Sequence, residues 1–148
     1  MNPFQELLQG LAEEIGIPIQ GDNSDSCALL VSDHLMVQVE LAKSGEQVIL
    51  GAHLGELVPG KYREELLKRA LKENGRSYPH LGILGYSAPA NQLALFDQMR
   101  LSVLNGEVLG QLFQIFVEKA LAWQSAIRDS AYPEEISLPE PDETFVIR

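Results

Sequence analysis

Between Cys27 and Leu54 three apolar-rich runs are joined by connections too short to cross over a sheet. Cys27 to Val31 is a short apolar run, and Ser32-Asp33 interrupts it. Leu35, Val37, Val39 and Leu41 then alternate with Met36, Gln38 and Glu40, and the Lys-Ser-Gly within Ala42 to Glu46 leads into the run Gln47 to Leu54. Parallel neighbours need a crossover of a dozen or more residues, so these runs predict three consecutive antiparallel strands. Alternation also means that the middle strand has one apolar face to bury, which the rest of the chain must cover.

Two amphipathic segments and a long terminal one are suited to that task. Phe4, Leu7, Leu8, Leu11, Ala12 and Ile15 stand at offsets 0, 3, 4, 7, 8 and 11, the spacing of a single helical stripe. Asn2 is placed to cap this helix, Pro3 has no amide to lose in its first turn, and Gly16 with Pro18 ends it. From Pro59 to Asn74 the period is helical again, with Tyr62, Leu66, Leu67, Ala70 and Leu71 on one side and Gly75 as the stop. Leu81 to Tyr86 and Gln92 to Leu101 predict a second hairpin around Ser87 to Asn91, and Asn105 caps a last helix running to about Ser130. The fold class is therefore α+β, an antiparallel sheet with helices in the order α-β-β-β-α-β-β-α. Residues 1–132 form the domain. Residues 133–148 read as an acidic, proline-rich tail, with five acids (Glu134, Glu135, Glu140, Asp142, Glu143) and an apolar tip at Phe145 to Ile147.

Composition narrows the function. A chain of 148 residues that is 45% hydrophobic buries enough surface to fold without a disulfide, and the lone Cys27 could not form an internal one. With no leader pattern and no long apolar run, the expectation is a reduced, cytoplasmic protein without membrane insertion. Its 21 acids against 11 bases give a formal charge of −10, which repels nucleic acid and anionic membrane alike. Six of those 11 bases (Lys61, Arg63, Lys68, Arg69, Lys72, Arg76) lie within residues 61–76.

The residue patterns that carry chemistry are missing. His34, His53 and His80 stand 19 and 27 residues apart with no second ligand at helical spacing, so the signature of a zinc site is lacking. Cys27 opens an apolar strand, where a thiol behaves as a small hydrophobe. Pro59-Gly60-Lys61 lacks the surrounding residues of a phosphate loop, and Gly82-Ile-Leu-Gly85 matches only the outline of a nucleic-acid clamp. No catalytic residue, metal or cofactor is expected. A small-molecule-binding or catalytic domain with its site between sheet and helix, and a regulatory adaptor, stay open as alternatives.

Four segments, in this order of elements, resemble the class I type III secretion chaperones of the Tir chaperone family. They are the helix Phe4 to Ile15, Leu54-Gly-Glu-Leu-Val-Pro with Tyr62 to Leu71, Leu81-Gly-Ile-Leu-Gly-Tyr, and Phe116-Val-Glu-Lys-Ala-Leu-Ala-Trp123. The resemblance implies a homodimer without enzymatic activity that holds the amino-terminal region of a secreted effector in extended form, soluble and competent for export. It also admits the export-apparatus ATPase as a further partner. On that basis the first helix and first three strands carry the client surface, with Phe4, Leu7, Leu8, Leu11, Leu29, Val31, Val37 and Val39 as candidate anchors. The second helix and second hairpin form the two-fold interface, with Leu66, Leu67, Ala70 and Leu71 at its centre.

Overall fold

The computed structural model describes residues 2–19, 25–76 and 81–133. The elements appear in the expected order: α1 Pro3–Ile15, β1 Ser26–Ser32, β2 Leu35–Leu41, β3 Gln47–Glu56, α2 Lys61–Asn74, β4 Ile83–Ser87, β5 Gln92–Arg100 and α3 Gly106–Arg128. A 3-10 turn at Leu101–Val103 joins the last strand to α3. The caps are those the sequence offers. Asn2 Oδ1 accepts from the Gln5 amide at 2.8 Å and Asn105 Oδ1 from the Val108 amide at 2.8 Å, each satisfying a donor that the first helical turn leaves orphaned.

All five strands join one antiparallel sheet in the order β1-β2-β3-β5-β4. Its centre is the long pairing of β3 with β5, from Gln47 opposite Arg100 to Glu56 opposite Gln92. These two strands are separated in sequence by α2 and β4, so their adjacency depends on no local turn. One face of the sheet is buried throughout: Leu29, Val37, Val39, Val48, Leu50, Ala52, Leu54, Leu84, Leu93 and Leu95 belong to a single core with Phe4, Leu11, Leu66, Leu109, Phe113 and Phe116 from the three helices. α3 packs on β3, α1 packs on α3, and α2 lies against β4.

The crossing of α1 over α3 is a backbone contact. A methyl group on Gly106 would stand 2.7 Å from the Gly10 backbone, and one on Gly10 would stand 3.0 Å from the Gly106 Cα. Only hydrogen fits at either place, and close packing leaves neighbouring backbone nowhere to move. Farther along, the space beside Gly110 is filled by the Glu14 side chain, 2.9 Å from where a Cβ would be. At the other end of α3, Gln124 Nε2 donates to the His34 carbonyl at 2.7 Å and ties the helix to the β1–β2 turn.

Gly106→Ala is therefore expected to lose about 1–3 kcal/mol in urea unfolding through overpacking. Gly51→Ala is the control, because a Cβ there meets nothing within 4 Å, and a surface change of that kind stays within about 0.5 kcal/mol.

Candidate functional site

The second face of the sheet carries the surface features. Strand alternation that sends Leu29, Val37 and Val39 inward sends Leu30, Met36, Gln38 and Glu40 outward. Leu30 is directly opposite Met36 in the β1–β2 register, and the two are 59% and 54% exposed. Across the middle of the sheet, Gln38, Gly51, Phe96 and Ile83 occupy successive register positions on β2, β3, β5 and β4. Phe96 and Ile83 are also exposed. Contiguous exposed apolar side chains, unlike scattered single ones, mark contact surfaces.

The two edges of the sheet differ. At β4 one side chain pairs the middle of the edge: Asn74, the last residue of α2, donates from Nδ2 to the Leu84 carbonyl at 2.7 Å and accepts the Leu84 amide on Oδ1 at 2.8 Å. A primary amide thus replaces the donor and acceptor that a further strand would supply. β1 has β2 as its one sheet neighbour and forms the other edge. The Asp25 carbonyl accepts the Leu41 amide at 2.7 Å, so by ladder alternation Cys27 and Leu29 direct their backbone toward β2, while Ala28 and Leu30 direct theirs toward the edge. Ala28 and Leu30 are both exposed. Strand edges with exposed backbone groups are templates for pairing with an added chain.

The entry to β4 is held by a buried cation. Lys119, 2% exposed, donates from Nζ to the carbonyls of Leu81 and Gly82 at 3.1 Å each and lies 3.3 Å from Glu73 Oε1. Burial pushes the Lys119 ammonium below its ordinary value, and the Glu73 carboxylate opposes that shift. Gly82 adopts φ +88°, a conformation that disfavours any side chain, and its amide donates to Asp97 Oδ2 at 3.0 Å. Lys119 was not a candidate in the sequence, because within a helical stripe a lysine reads as solvated. Asn74 and the exposed pair Leu30 and Met36 were missed as well. The strong alternation of β2 was the available signal for Met36.

Of the eight candidate client anchors, seven have their side chains in the core: Phe4, Leu7, Leu8, Leu11, Leu29, Val37 and Val39 are all at most 5% exposed. The physical reason is that each lies on the side of its element that faces the opposing layer, where its area is already buried by this chain. Val31 alone is partly exposed. The candidate interface residues divide similarly. Leu66 and Ala70 point into the core, Leu67 is half-buried, and Leu71 is 71% exposed. Leu67 and Leu71 are four residues apart on the flank of α2 away from the Leu66 and Ala70 row.

Among the described residues no group of three or more His, Cys, Asp or Glu side chains could hold a metal ion. His80 lies outside the described residues. An open cleft of about 870 Å³ between the start of α1, the β2–β3 hairpin and the 3-10 turn is lined by Glu6, Glu46, Arg100 and Ser102 among others. No helix among the described residues is long and apolar enough to cross a membrane.

A match to the model of the Tir chaperone protein (CesT) family spans residues 6–124, and the chain belongs to that family. No curated protein matches it in sequence. Among solved structures, the type III secretion chaperone SycH of Yersinia pestis, in complex with a stable fragment of YscM2, is similar with a TM-score of 0.63 at 16% identity, over 81% of this chain and 98% of that one. A chain of the HopA1–SchA chaperone–effector complex gives 0.67 at 15% identity, over 84% and 94%. One from the ExoT–SpcS complex of Pseudomonas aeruginosa gives 0.62 at 16%, over 82% and 97%.

Replacing Lys119 by Met leaves the buried Gly82 carbonyl and the half-buried Leu81 carbonyl without this donor, and a buried unsatisfied group costs about 1–3 kcal/mol. Lys119→Met is expected to lower the urea midpoint clearly. Glu73→Gln keeps the Lys119 contacts to both carbonyls and is expected to cost less in the same assay.

Proposed function

We propose that this chain is a type III secretion chaperone that holds the amino-terminal region of an effector in extended form, acting by binding rather than catalysis. The observation that carries the reading is the asymmetry of the sheet: one face is closed by three helices, and on the β4 edge Asn74 pairs the backbone of Leu84, while Ala28 and Leu30 on the β1 edge and the adjoining Met36 are exposed. An extended segment adding beside β1 gains main-chain hydrogen bonds, and its alternate side chains meet Leu30, Val31 and Met36. The client surface thus remains on α1 and the first three strands. Its contacts come from the exposed positions beside the buried anchors, and Phe4, Leu7, Leu8, Leu11, Leu29, Val37 and Val39 support it from beneath. SycH is a type III secretion chaperone in complex with a fragment of YscM2, and HopA1–SchA is a chaperone–effector complex, which supports this reading.

The same reading includes a cytoplasmic homodimer. Its two-fold contact uses the outer flank of α2, Leu67 and Leu71, with the neighbouring β4 residues Ile83 and Tyr86, which are 41% and 38% exposed. Burying such side chains against their own copies in an isologous contact removes them from water at about 25 cal/mol per Å².

Leu30→Ser with Met36→Ser changes two exposed residues, so melting is expected to stay within about 0.5 kcal/mol of the parent. Capture of the amino-terminal segment of a cognate effector in a pull-down is expected to weaken by tenfold or more, since truncating an anchor costs about 1 kcal/mol or more. Unchanged capture places the client elsewhere.

Leu71→Glu adds a charge to the exposed flank of α2 without touching the core, and sedimentation is expected to shift from dimer to folded monomer. Leu66→Glu cannot serve for this test, because Leu66 is fully buried and its replacement unfolds the chain.

A further inference from the structure

Five of the 11 bases of this acidic chain lie on or beside one ridge. Lys61, Lys68 and Lys72 stand seven and eleven residues apart along α2 and share a stripe facing solvent. Arg69 and Arg76 flank that stripe on one side and are held by acids of the same helix, Arg69 by Glu65 and Arg76 by Glu73, at 3.3 Å in each case. The three lysines form no ion pair among the described residues.

The end of the described chain is fastened to this same helix. Tyr62 donates from its hydroxyl to the carbonyls of Ala126 and Ala131, at 3.0 and 2.7 Å. The Tyr132 ring lies 5.4 Å from the Tyr62 ring, and the Arg69 guanidinium sits 4.1 Å above it. The backbone at Pro133 therefore leaves from the arginine side of the ridge, within a turn or two of Lys68 and Lys72. The next residues are Glu134 and Glu135, followed by Glu140, Asp142 and Glu143, with prolines at 133, 139 and 141 that disfavour a helix. Residues 134–148 can reach about 50 Å when extended, whereas the fourteen residues of α2 span about 21 Å.

We propose that the acidic segment 134–148 docks along the lysine ridge of α2 in its own chain. The occupant is set by opposite charge, by sufficient length and by an attachment point already on the helix. Tethering raises the local concentration of those acids far above that of any free partner. The ridge is distinct from the Leu67 and Leu71 flank, so docking leaves the proposed two-fold contact clear. An acidic partner seeking this ridge would have to displace the tail.

Lysine acetylation followed by mass spectrometry tests this on the full chain. Lys43, exposed in the β2–β3 hairpin, is the internal reference. At about 20 mM salt, Lys68 and Lys72 are expected to react about fivefold more slowly than Lys43, and at about 500 mM the difference closes because screening is then short-ranged. In a full-length variant carrying Glu134→Gln, Glu135→Gln, Glu140→Gln, Asp142→Asn and Glu143→Gln, the protection is expected to vanish at low salt. Tenfold dilution should leave the protection of the parent unchanged. Equal rates in parent and variant overturn the proposal, since protection that survives neutralisation comes from something other than the tail. Protection lost on dilution also overturns it, because the acids would then come from another copy.

Discussion

The contact between the Gly10 and Gly106 backbones lets α1 lie across α3 at the distance the shared core requires. Phe4, Leu7, Leu8 and Leu11 can then reach the same cluster as Leu109, Phe113 and Phe116. With a side chain at either glycine the helices would stand apart, and apolar faces designed for contact would face water or a void. The helix layer that closes one side of the sheet is held together by this crossing.

Two polar side chains then decide how the sheet ends. Asn74 occupies both backbone groups of Leu84, and Lys119 holds the carbonyls of Leu81 and Gly82 at the approach to β4. Both belong to helices, so the β4 end of the sheet is bound to the helical layer. On β1, Ala28 and Leu30, whose backbone faces the edge, are exposed. A protein that must bind extended polypeptide without self-aggregating benefits from this difference, since exposed strand edges are templates for pairing with other chains. The net charge of −10 adds a general repulsion between copies in solution.

Membership in the Tir chaperone protein (CesT) family gives the asymmetry its meaning. The fold is shared with chaperones at 15–16% identity, a level at which few surface residues coincide. What persists at that distance is the layer arrangement, because it is fixed by apolar periodicity and not by particular side chains. The surface that chooses a client is free to vary over it.

The sequence by itself determined the elements and their order. Alternation over Leu35 to Leu41, the stripe from Phe4 to Ile15, and the caps at Asn2 and Asn105 are local signals, and periodicity states which residues share a face. It does not state what lies against that face. Leu66 and Leu67 are neighbours in one apolar run, yet the 100° step of a helix sends Leu66 into the core and leaves Leu67 half-buried, with Leu71 beyond it in solvent. Phe4 to Leu11 read equally well as client anchors or as core, and only the tertiary packing shows that Phe4, Leu7, Leu8 and Leu11 are buried within this chain. The pairing of β3 with β5, the closure of β4 by Asn74, and the burial of Lys119 join residues 10 to about 50 positions apart. Such contacts depend on three-dimensional fit between elements, which no local pattern of residues encodes.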